Sequence, residues 1–284
     1  MAGTMVRLQG RVMVDAFQNR IAVVTGASAG IGEAVVRSLV AAGAGVVINA
    51  RRKERLEELV NEFGERVVAV AGDAADQRVI DEMLDAARDR LGGGKREADL
   101  VVVNAGRGLR GSVYDSDTSQ WEEVIRINLL AAARLMKSAA NRMVGAVPAV
   151  KGAPQPASPP TAPEGWLKRP RDIVLLGSTV GRHISPFSSM YGSTKAGVHM
   201  LAESLRRLMG PRGVRVTLLE PGIVKSEFQD AAGYDRESFG KFMDSISPVL
   251  SPEDIARLVM FIVGQPAGMH VCDVMVRPTR QEYP

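Results

Sequence analysis

The amino-acid sequence predicts one α/β domain, in which helices cover both faces of a seven-stranded parallel sheet. Short runs of β-branched and apolar residues alternate with longer segments in which apolar residues recur at helical spacing. The seven strand-like runs are residues 21–25, 46–50, 67–71, 100–103, 173–176, 214–219 and 271–276. Because strands that alternate with helices pair in parallel through right-handed crossovers, we expect a doubly wound arrangement.

The first strand runs into a glycine-rich turn and then into a helical pattern. Gly26 permits the tight turn, Gly30 allows backbone to approach a pyrophosphate, and Gly32 lets the helix pack closely on the strand. The amino end of the helix would also face the phosphates with its partial positive charge. A glycine-rich turn by itself is equally compatible with an ordinary loop between strand and helix.

Two later strands end in small polar residues. The strand at 100–103 is followed by Asn104-Ala105-Gly106, and the strand at 173–176 is followed by Gly177 and Ser178. The carboxyl ends of parallel strands form the edge at which such sheets bind ligands. Taken singly, Asn104 would serve as a turn former and Ser178 as an ordinary residue at a strand end.

Tyr191 and Lys195 stand four residues apart in a segment that predicts a helix. Residues at this spacing share one helix face. A phenol ionises near pH ~10, and a neighbouring cation favours the phenolate, so such a pair can act as an acid and base. The alternative is an amphipathic helix with two long side chains that reach into solvent.

Together these motifs resemble the short-chain dehydrogenase/reductase family, in its single-domain branch. The resemblance covers most of residues 20–278 and is carried by residues 25–32, Asn104-Ala105-Gly106, Asn128, Ser178, Tyr191 with Lys195, and Pro221-Gly222. It implies a Rossmann-like sheet with the strand order 3-2-1-4-5-6-7. It also implies hydride transfer between a nicotinamide cofactor and a carbonyl or secondary alcohol.

The resemblance also implies a role for each catalytic residue. Tyr191 would be the acid and base, and Lys195 would lower the pKa of Tyr191 and bond the nicotinamide ribose. Ser178 would hold the substrate oxygen. Asn128 would kink its helix and hold a water that relays protons from Lys195; the residues alone leave an exposed or interhelix-bonded Asn equally open.

The second strand indicates which nicotinamide cofactor is bound. No acidic residue that could bond a ribose hydroxyl stands at Asn49 or Ala50, and Arg51 and Arg52 follow. Since a guanidinium suits a phosphate, we expect NADP(H) rather than NAD(H); otherwise the two arginines simply begin the next helix. Asp73 resembles the adenine contact of the family, although it could be a loop former. The expected cofactor-binding residues are Gly26, Ser28, Ala29, Gly30, Ile31, Gly32, Arg51, Arg52, Asp73, Asn104, Ala105, Gly106, Tyr191, Lys195, Pro221, Gly222, Val224 and Ser226.

Two segments fall outside the alternating pattern. Residues 1–18 lack the apolar run of a secretory signal and are expected to be a flexible tail before a domain at 19–284. Residues 145–170 are rich in Pro, Ala and Gly, which predicts an extended inserted loop without a core of its own. The loop is either a functionless insertion or a place where a partner binds.

Composition excludes several classes of protein. The content of 45% hydrophobic and 24% charged residues is that of a soluble protein, and no apolar run is long enough to span a membrane. A net charge of +4 is spread among acidic residues, which favours an anionic small molecule over nucleic acid. The one cysteine, Cys272, and three scattered histidines predict no disulfide, no metal site and a cytoplasmic location.

The substrate is a small carbonyl or alcohol in this interpretation. Residues 227–250 mix aromatic and polar residues, as expected of a mobile lid over the substrate. The carboxyl-terminal segment resembles the NADP-dependent 3-hydroxy acid and serine dehydrogenases, for which Arg182 or Lys225 could bind the substrate carboxylate. An aldehyde, a ketone or another alcohol remains equally compatible.

Two further expectations concern activity and assembly. A regulator that binds NADP without catalysis is the rival hypothesis, but such a protein would lack the serine, tyrosine or lysine that this chain retains. The resemblance implies a homotetramer that pairs the long helices at residues 121–144 and 189–209. The insertion that follows residue 144 leaves a homodimer open.

Overall fold

A computed structural model describes residues 16–144, 162 and 164–282 of the 284-residue chain. Within these residues seven strands form one sheet in the order β3-β2-β1-β4-β5-β6-β7, and every pairing is parallel. The strands are β1 Ile21–Thr25, β2 Gly45–Ala50, β3 Val67–Ala71, β4 Leu100–Val103, β5 Arg171–Leu176, β6 Val214–Pro221 and β7 Asp273–Val276. The predicted doubly wound seven-stranded sheet and its strand order are confirmed.

The helices alternate with these strands. They are α1 Gly30–Ala41, α2 Lys53–Phe63, α3 Gln77–Ala86, α4 Trp121–Ile125, α5 Ala132–Val144, α6 Ser189–Met209, α7 Phe228–Ala231, α8 Arg236–Ile246 and α9 Pro252–Val263. A π-helical turn, Arg126–Ala131, joins α4 to α5 without a break, so the long helix expected at 121–144 contains one widened turn.

Each face of the sheet is covered by helices whose apolar residues point inward. Helices α1, α2 and α9 cover one face, where Leu39, Leu56 and Val259 are fully buried. Helices α3, α5 and α6 cover the other, where Ile80, Leu135 and Val198 belong to the second core cluster. Burial on both faces explains why the strands read as continuous apolar runs.

A buried ion network holds the amino-terminal edge of the sheet. Arg20, just before β1, bonds the carboxylates of Asp99 at 2.7 Å and Asp172 at 2.8 Å. Arg215 in β6 bonds both carboxylate oxygens of Asp172, at 2.7 and 3.0 Å. The network therefore ties β1, β4, β5 and β6 together at the edge opposite their carboxyl ends.

The two segments predicted to lie outside the domain core fall largely beyond this description. Residues 1–15 of the expected tail lie outside the described residues, as do 145–161 and 163 of the expected insertion. The end of that insertion is described and forms a short 3₁₀ turn, Trp166–Lys168, just before β5. The division into a tail at 1–18 and a domain at 19–284 stays a prediction.

Candidate active site

A large cavity of about 1580 Å³ opens at the carboxyl edge of the sheet. It is bordered by most of the residues that the sequence predicted for a functional site: Gly26, Ser28, Ala29, Gly30, Ile31, Arg51, Arg52, Asp73, Asn104, Ala105, Gly106, Ser178, Tyr191, Lys195, Pro221, Gly222, Val224 and Ser226. Gly32 and Asn128 stand behind this lining. The topology accounts for the convergence, since parallel strands deliver their following loops to one edge.

The glycine-rich turn has no room for larger side chains. A Cβ at Gly26, where φ is +68°, would lie 2.8 Å from Nδ2 of Asn104, and one at Gly32 would lie 2.2 Å from the Gly26 carbonyl oxygen. Asn104 fixes the turn by donating to the carbonyls of Thr25 at 2.9 Å and Gly26 at 3.2 Å. The amino end of α1 has no side-chain cap, so its first N–H groups suit the phosphates of a dinucleotide.

Arg52 and Ser28 form the polar corner of the cavity next to β2. The Arg52 guanidinium donates to Oγ of Ser28 at 3.1 and 3.2 Å and pairs with Glu227 at 2.9 Å. Arg51 is 69% exposed, and its guanidinium lies 3.9 Å from Glu123. Asn49 is buried and donates to the carbonyls of β3 and its following loop, so no carboxylate occupies this strand end.

Asp73 borders the cavity after β3, as predicted. One carboxylate oxygen accepts the backbone N–H of Ala75 at 2.9 Å, and the other lies 2.6 Å from the Arg126 guanidinium. Burial raises the pKa of Asp73, but these partners outweigh it and hold the pKa below its usual value. The carboxylate is therefore ionised and fixed in position at neutral pH.

Ser178 and Tyr191 meet inside the cavity. Both side chains border it, and the Tyr191 ring stands 5.6 Å from the Phe228 ring, measured between centroids. Burial raises the pKa of the Tyr191 phenol, and the nearby Ser178 hydroxyl acts in the opposite direction. The sequence predicted a lowered pKa for Tyr191; the prediction is wrong in direction for this arrangement because desolvation dominates.

Lys195 lies on the same side of α6 as Tyr191 but is directed past the phenol. Its Nζ is 5.8 Å from the centroid of the Tyr191 ring and donates to the Leu176 carbonyl at the end of β5, at 2.7 Å. Burial lowers the pKa of the Lys195 ammonium to about 8. The amine and the phenol share one face of the helix and one cavity, without the helix body between them.

Asn128 occupies the π-helical turn and is only 2% exposed. Its Oδ1 accepts the backbone N–H of Arg107 at 2.9 Å, and its Nδ2 donates to the Arg107 carbonyl at 2.9 Å and to Thr194 Oγ1 at 3.1 Å. The predicted distortion of the helix therefore takes the form of a π turn. Of the alternatives that the sequence left open, the structure contains the interhelix bond, from Asn128 to Thr194 of α6, and not the exposed side chain.

The cations expected to bind a substrate carboxylate lie elsewhere. Arg182 bonds both carboxylate oxygens of Glu220 and lies 2.5 Å from Asp273, and it does not border the cavity. Lys225 is exposed and does not border it either. The partners of Arg182 could not be predicted from its position in the sequence, because the two acidic residues are 38 and 91 residues away.

Sequence reasoning missed the contribution of the carboxyl-terminal segment. Gln281, 7% exposed, accepts the backbone N–H of Ile223 through Oε1 at 2.9 Å, and a Cβ at Gly222 would lie 2.4 Å from that oxygen. The side chain thereby fixes the loop after β6 that borders the cavity. A single glutamine near the end of a chain carries no motif that could have identified it.

The segment expected to be a lid does border the cavity. It contributes α7 and the inner face of α8, on which Phe239 and Phe242 lie.

Among the described residues no group of three or more His, Cys, Asp or Glu side chains is placed to hold a metal ion. None of the helices in the described part of the chain combines the length and apolar character needed to cross a bilayer.

Comparison with known proteins places this architecture in a family. A family model described as short chain dehydrogenase matches residues 20–152 and 166–237. An uncharacterised oxidoreductase of Staphylococcus epidermidis is 27% identical over 261 residues, which cover 92% of this chain and 98% of the relative.

Two solved structures are similar over almost the whole chain. A serine dehydrogenase complexed with NADP⁺, in its closed form, has a TM-score of 0.76 and 27% identity, covering 92% of this chain and 96% of its own. Serine dehydrogenase from Escherichia coli has a TM-score of 0.70 and 26% identity, covering 92% and 99%. The sheet order, the family match and these relatives show that the chain belongs to the short-chain dehydrogenase family of oxidoreductases.

Proposed function

We propose that this protein is an NADP(H)-dependent oxidoreductase that interconverts a carbonyl group and a secondary alcohol. The observation that carries the proposal is that one cavity contains both the glycine-rich turn and the side chains of Ser178, Tyr191 and Lys195. Bound NADP(H) would supply or accept the hydride. The residues of the chain would hold the substrate oxygen and transfer its proton.

Tyr191 is the proposed acid and base. Because burial raises the pKa of Tyr191, the phenol carries its proton at neutral pH and can donate it to a carbonyl oxygen as that oxygen gains negative charge. Ser178, which borders the same cavity, would donate to or accept from the same substrate oxygen and orient it. The Lys195 ammonium, buried nearby, would stabilise the phenolate that is left.

NADP(H) is the proposed cofactor, in preference to NAD(H). Arg51, Arg52 and Ser28 border the cavity at the end of β2, where a 2′-phosphate would lie, and no carboxylate of β2 competes for a ribose hydroxyl. The similar serine dehydrogenase was solved with NADP⁺. Two guanidinium groups and a hydroxyl suit a phosphate dianion in charge and in donor geometry.

The test is the variant Tyr191→Phe, which removes the phenol oxygen but keeps the ring that packs on Phe228. NADPH should bind as in the wild type, while turnover of carbonyl substrates should fall by at least ~100-fold, the contribution typical of a general acid. Tyr114→Phe is the matched control, since Tyr114 is 96% exposed and does not border the cavity. Turnover at the wild-type rate by Tyr191→Phe would refute the role of Tyr191 as acid and base, and with it the proposed function.

A homotetramer of this chain in the cytoplasm is the proposed physiological form. Leu130 and Met200, on the two long helical segments expected to pair, are 44% and 74% exposed, and β7 is an edge strand. Exposed apolar side chains of this size suit contact with a second copy. Analytical ultracentrifugation distinguishes tetramer, dimer and monomer, and a monomer at micromolar concentration would contradict this part.

A further inference from the structure

The part of the cavity next to Tyr191 is unusually rich in aromatic side chains. The chain contains 7 Phe and 4 Tyr, of which 4 Phe and 2 Tyr border this cavity. We name these six residues the aromatic wall: Phe187, Tyr191, Phe228, Tyr234, Phe239 and Phe242. In a chain with only 5% aromatic residues, such a concentration indicates an apolar ligand.

Five of the six rings of the aromatic wall, all but Phe187, pack against one another in two groups. Tyr191 stands 5.6 Å from Phe228, so one ring of the wall touches the proposed acid directly. Phe239 lies between Tyr234 and Phe242, with centroid distances of 4.8 and 6.0 Å. These distances are those of tilted aromatic pairs, which leave edges and faces for a further ring to join.

Most of the positive charges that border the cavity bond other groups of the protein or lie in the cofactor half: Arg51 and Arg52 lie in that half, and the side chains of Arg107, Lys195 and Arg280 donate to Gln120, Leu176 and Ser247. Of the described residues, Arg51, Arg52, Arg107, Arg110, Lys195 and Arg280 are the cations on its lining. Hydrogen bonds from Ser112 and Ser238 lower the pKa of Asp115 and Asp235, and the nearby Arg110 guanidinium lowers the pKa of both further. The Arg280 guanidinium donates to the Ser247 carbonyl at 3.1 Å, at an exposed position.

This arrangement disfavours a small hydroxy acid. In such a substrate the carboxylate is within a few bonds of the carbon that reacts, so it would lie near the Phe228 ring that packs on Tyr191. A carboxylate brought out of water against an aromatic ring is disfavoured, and the Lys195 ammonium beside Tyr191 already donates to the Leu176 carbonyl. Arg182 and Lys225 cannot compensate, because neither borders the cavity.

The size of the cavity also favours a substrate larger than a small hydroxy acid. Its volume of about 1580 Å³ exceeds the range of roughly 300–1,000 Å³ that suffices for a single drug-sized ligand. A cavity of this volume accommodates a dinucleotide together with a substrate of ring size. A three-carbon substrate would leave the aromatic wall in contact with water.

We propose that the substrate is a bulky apolar ketone or the corresponding secondary alcohol, with an aromatic or similar group bound by the aromatic wall. The assignment rests on the function proposed above, since it names the substrate class of the same site. Of the substrates that the sequence left open, it selects an apolar ketone or alcohol over a 3-hydroxy acid held by Arg182 or Lys225.

The first experiment compares substrates with NADPH and the full-length protein. The values of kcat/KM should increase from acetone to acetophenone to 2-acetylnaphthalene, by roughly 10-fold or more overall, as each ring adds buried apolar surface. Methyl 3-oxobutanoate should be reduced faster than 3-oxobutanoate, its charged counterpart. Faster reduction of the acid, faster oxidation of serine than of 1-phenylethanol, or equal values for acetone and the naphthyl ketone would each overturn the assignment.

A pair of variants separates the aromatic wall from general effects on the fold. Phe239→Ala should lower kcat/KM for acetophenone by roughly 10-fold more than that for acetone, because only the ring-bearing ketone loses a ring contact. Phe261→Ala is the matched control, since Phe261 is half exposed on α9 and does not border the cavity. Equal losses for both ketones in Phe239→Ala would contradict a role in ring binding.

Calorimetry keeps the two proposals distinguishable. If no carbonyl in the panel oxidises NADPH although NADPH binds, the proposed function fails. Titration of 2-acetylnaphthalene into the NADPH complex then decides the present inference: binding that Phe239→Ala weakens and Phe261→Ala does not supports the aromatic wall as a ligand site. Absence of binding, or equal affinity in all three proteins, overturns it.

Discussion

The amide of Asn128 and the hydroxyl of Thr194 are joined by a hydrogen bond of 3.1 Å. The bond runs from the π-helical turn between α4 and α5 to the residue just before Lys195 in α6. Because Asn128 also bonds both backbone groups of Arg107, one buried side chain connects the loop after β4 with the helix that carries Tyr191 and Lys195. Asn128 therefore positions the helix that carries Tyr191 and Lys195, and it does not itself border the cavity.

Asn128→Ala is expected to destabilise the protein and to reduce turnover. The variant leaves a partly buried N–H and a partly buried carbonyl of Arg107 without their partner, at a cost of about 1 kcal/mol in the free energy of unfolding. Urea denaturation measures the stability, and initial rates measure the turnover. Asn61→Ala, at an exposed site on α2, is the control; an equal, small effect of both variants would argue against the bridging role.

Lys195→Met is expected to separate stability from activity. The folded-state pKa of Lys195 is about 8 and its ordinary value is 10.5, so the folded protein binds fewer protons than the unfolded chain between these pH values. The free energy of unfolding of the wild type should therefore rise with pH in this window relative to the variant, by about 3 kcal/mol at most. Below pH 8 the variant should be the more stable protein, with little turnover.

The measurement is urea denaturation of both proteins from pH 7 to pH 10.5. Only the difference between the two curves is interpreted, because other groups titrate equally in both. Lys241→Met, an exposed site on α8, should give a curve parallel to the wild type. A difference between wild type and Lys195→Met that does not vary with pH would show that burial does not lower the pKa of Lys195.

Arg52→Ala is expected to weaken binding of NADPH and to leave that of NADH almost unchanged. Loss of charge-assisted bonds to a phosphate should raise the Kd for NADPH by roughly 10- to 100-fold. Arg51→Asp should in addition shift the preference toward NADH. Fluorescence titration measures both cofactors, with Arg55→Ala on α2 as the control outside the cavity. Equal weakening for NADPH and NADH would contradict recognition of the 2′-phosphate.

Asp172→Ala is expected to damage the fold far more than the site. Asp172 is 1% exposed and neutralises both Arg20 and Arg215, so its removal leaves two buried cations short of a partner. The expected loss is about 3–5 kcal/mol in the free energy of unfolding. For the fraction that stays folded, kcat/KM should change little. Asp244→Ala, at an exposed position on α8, should lose less than about 0.5 kcal/mol.

Strands β1, β2, β4, β5 and β6 could be predicted from the sequence because they are buried on both faces and read as apolar runs. The bounds were less accurate where polar residues belong to a strand. Strand β5 begins at Arg171, two residues before the predicted start, since Asp172 pairs with Arg20 and Arg215 inside the sheet edge. In the sequence, a charged residue at a strand end favours a loop. Its ion-pair partners, which would place it in the strand, are distant in the sequence.

The residues of the site could be predicted from the sequence, but the pKa of Tyr191 and the ion pairs of Arg182 could not. Motif spacing was enough to select Ser178, Tyr191 and Lys195, which all border one cavity. The direction of the Tyr191 pKa depends on how completely the fold removes water, and the partners of Arg182 come from β6 and β7. Both are consequences of packing between segments far apart in the chain.

The ion network and the cavity lie at opposite edges of the same sheet, with the length of the strands between them. Laboratory evolution of this protein could therefore rebuild the aromatic wall for new substrates at little risk to the scaffold. Libraries that spare Arg20, Asp99, Asp172 and Arg215 should retain a high fraction of folded members. The sheet in this way offers a ready platform for designing reductases with altered selectivity.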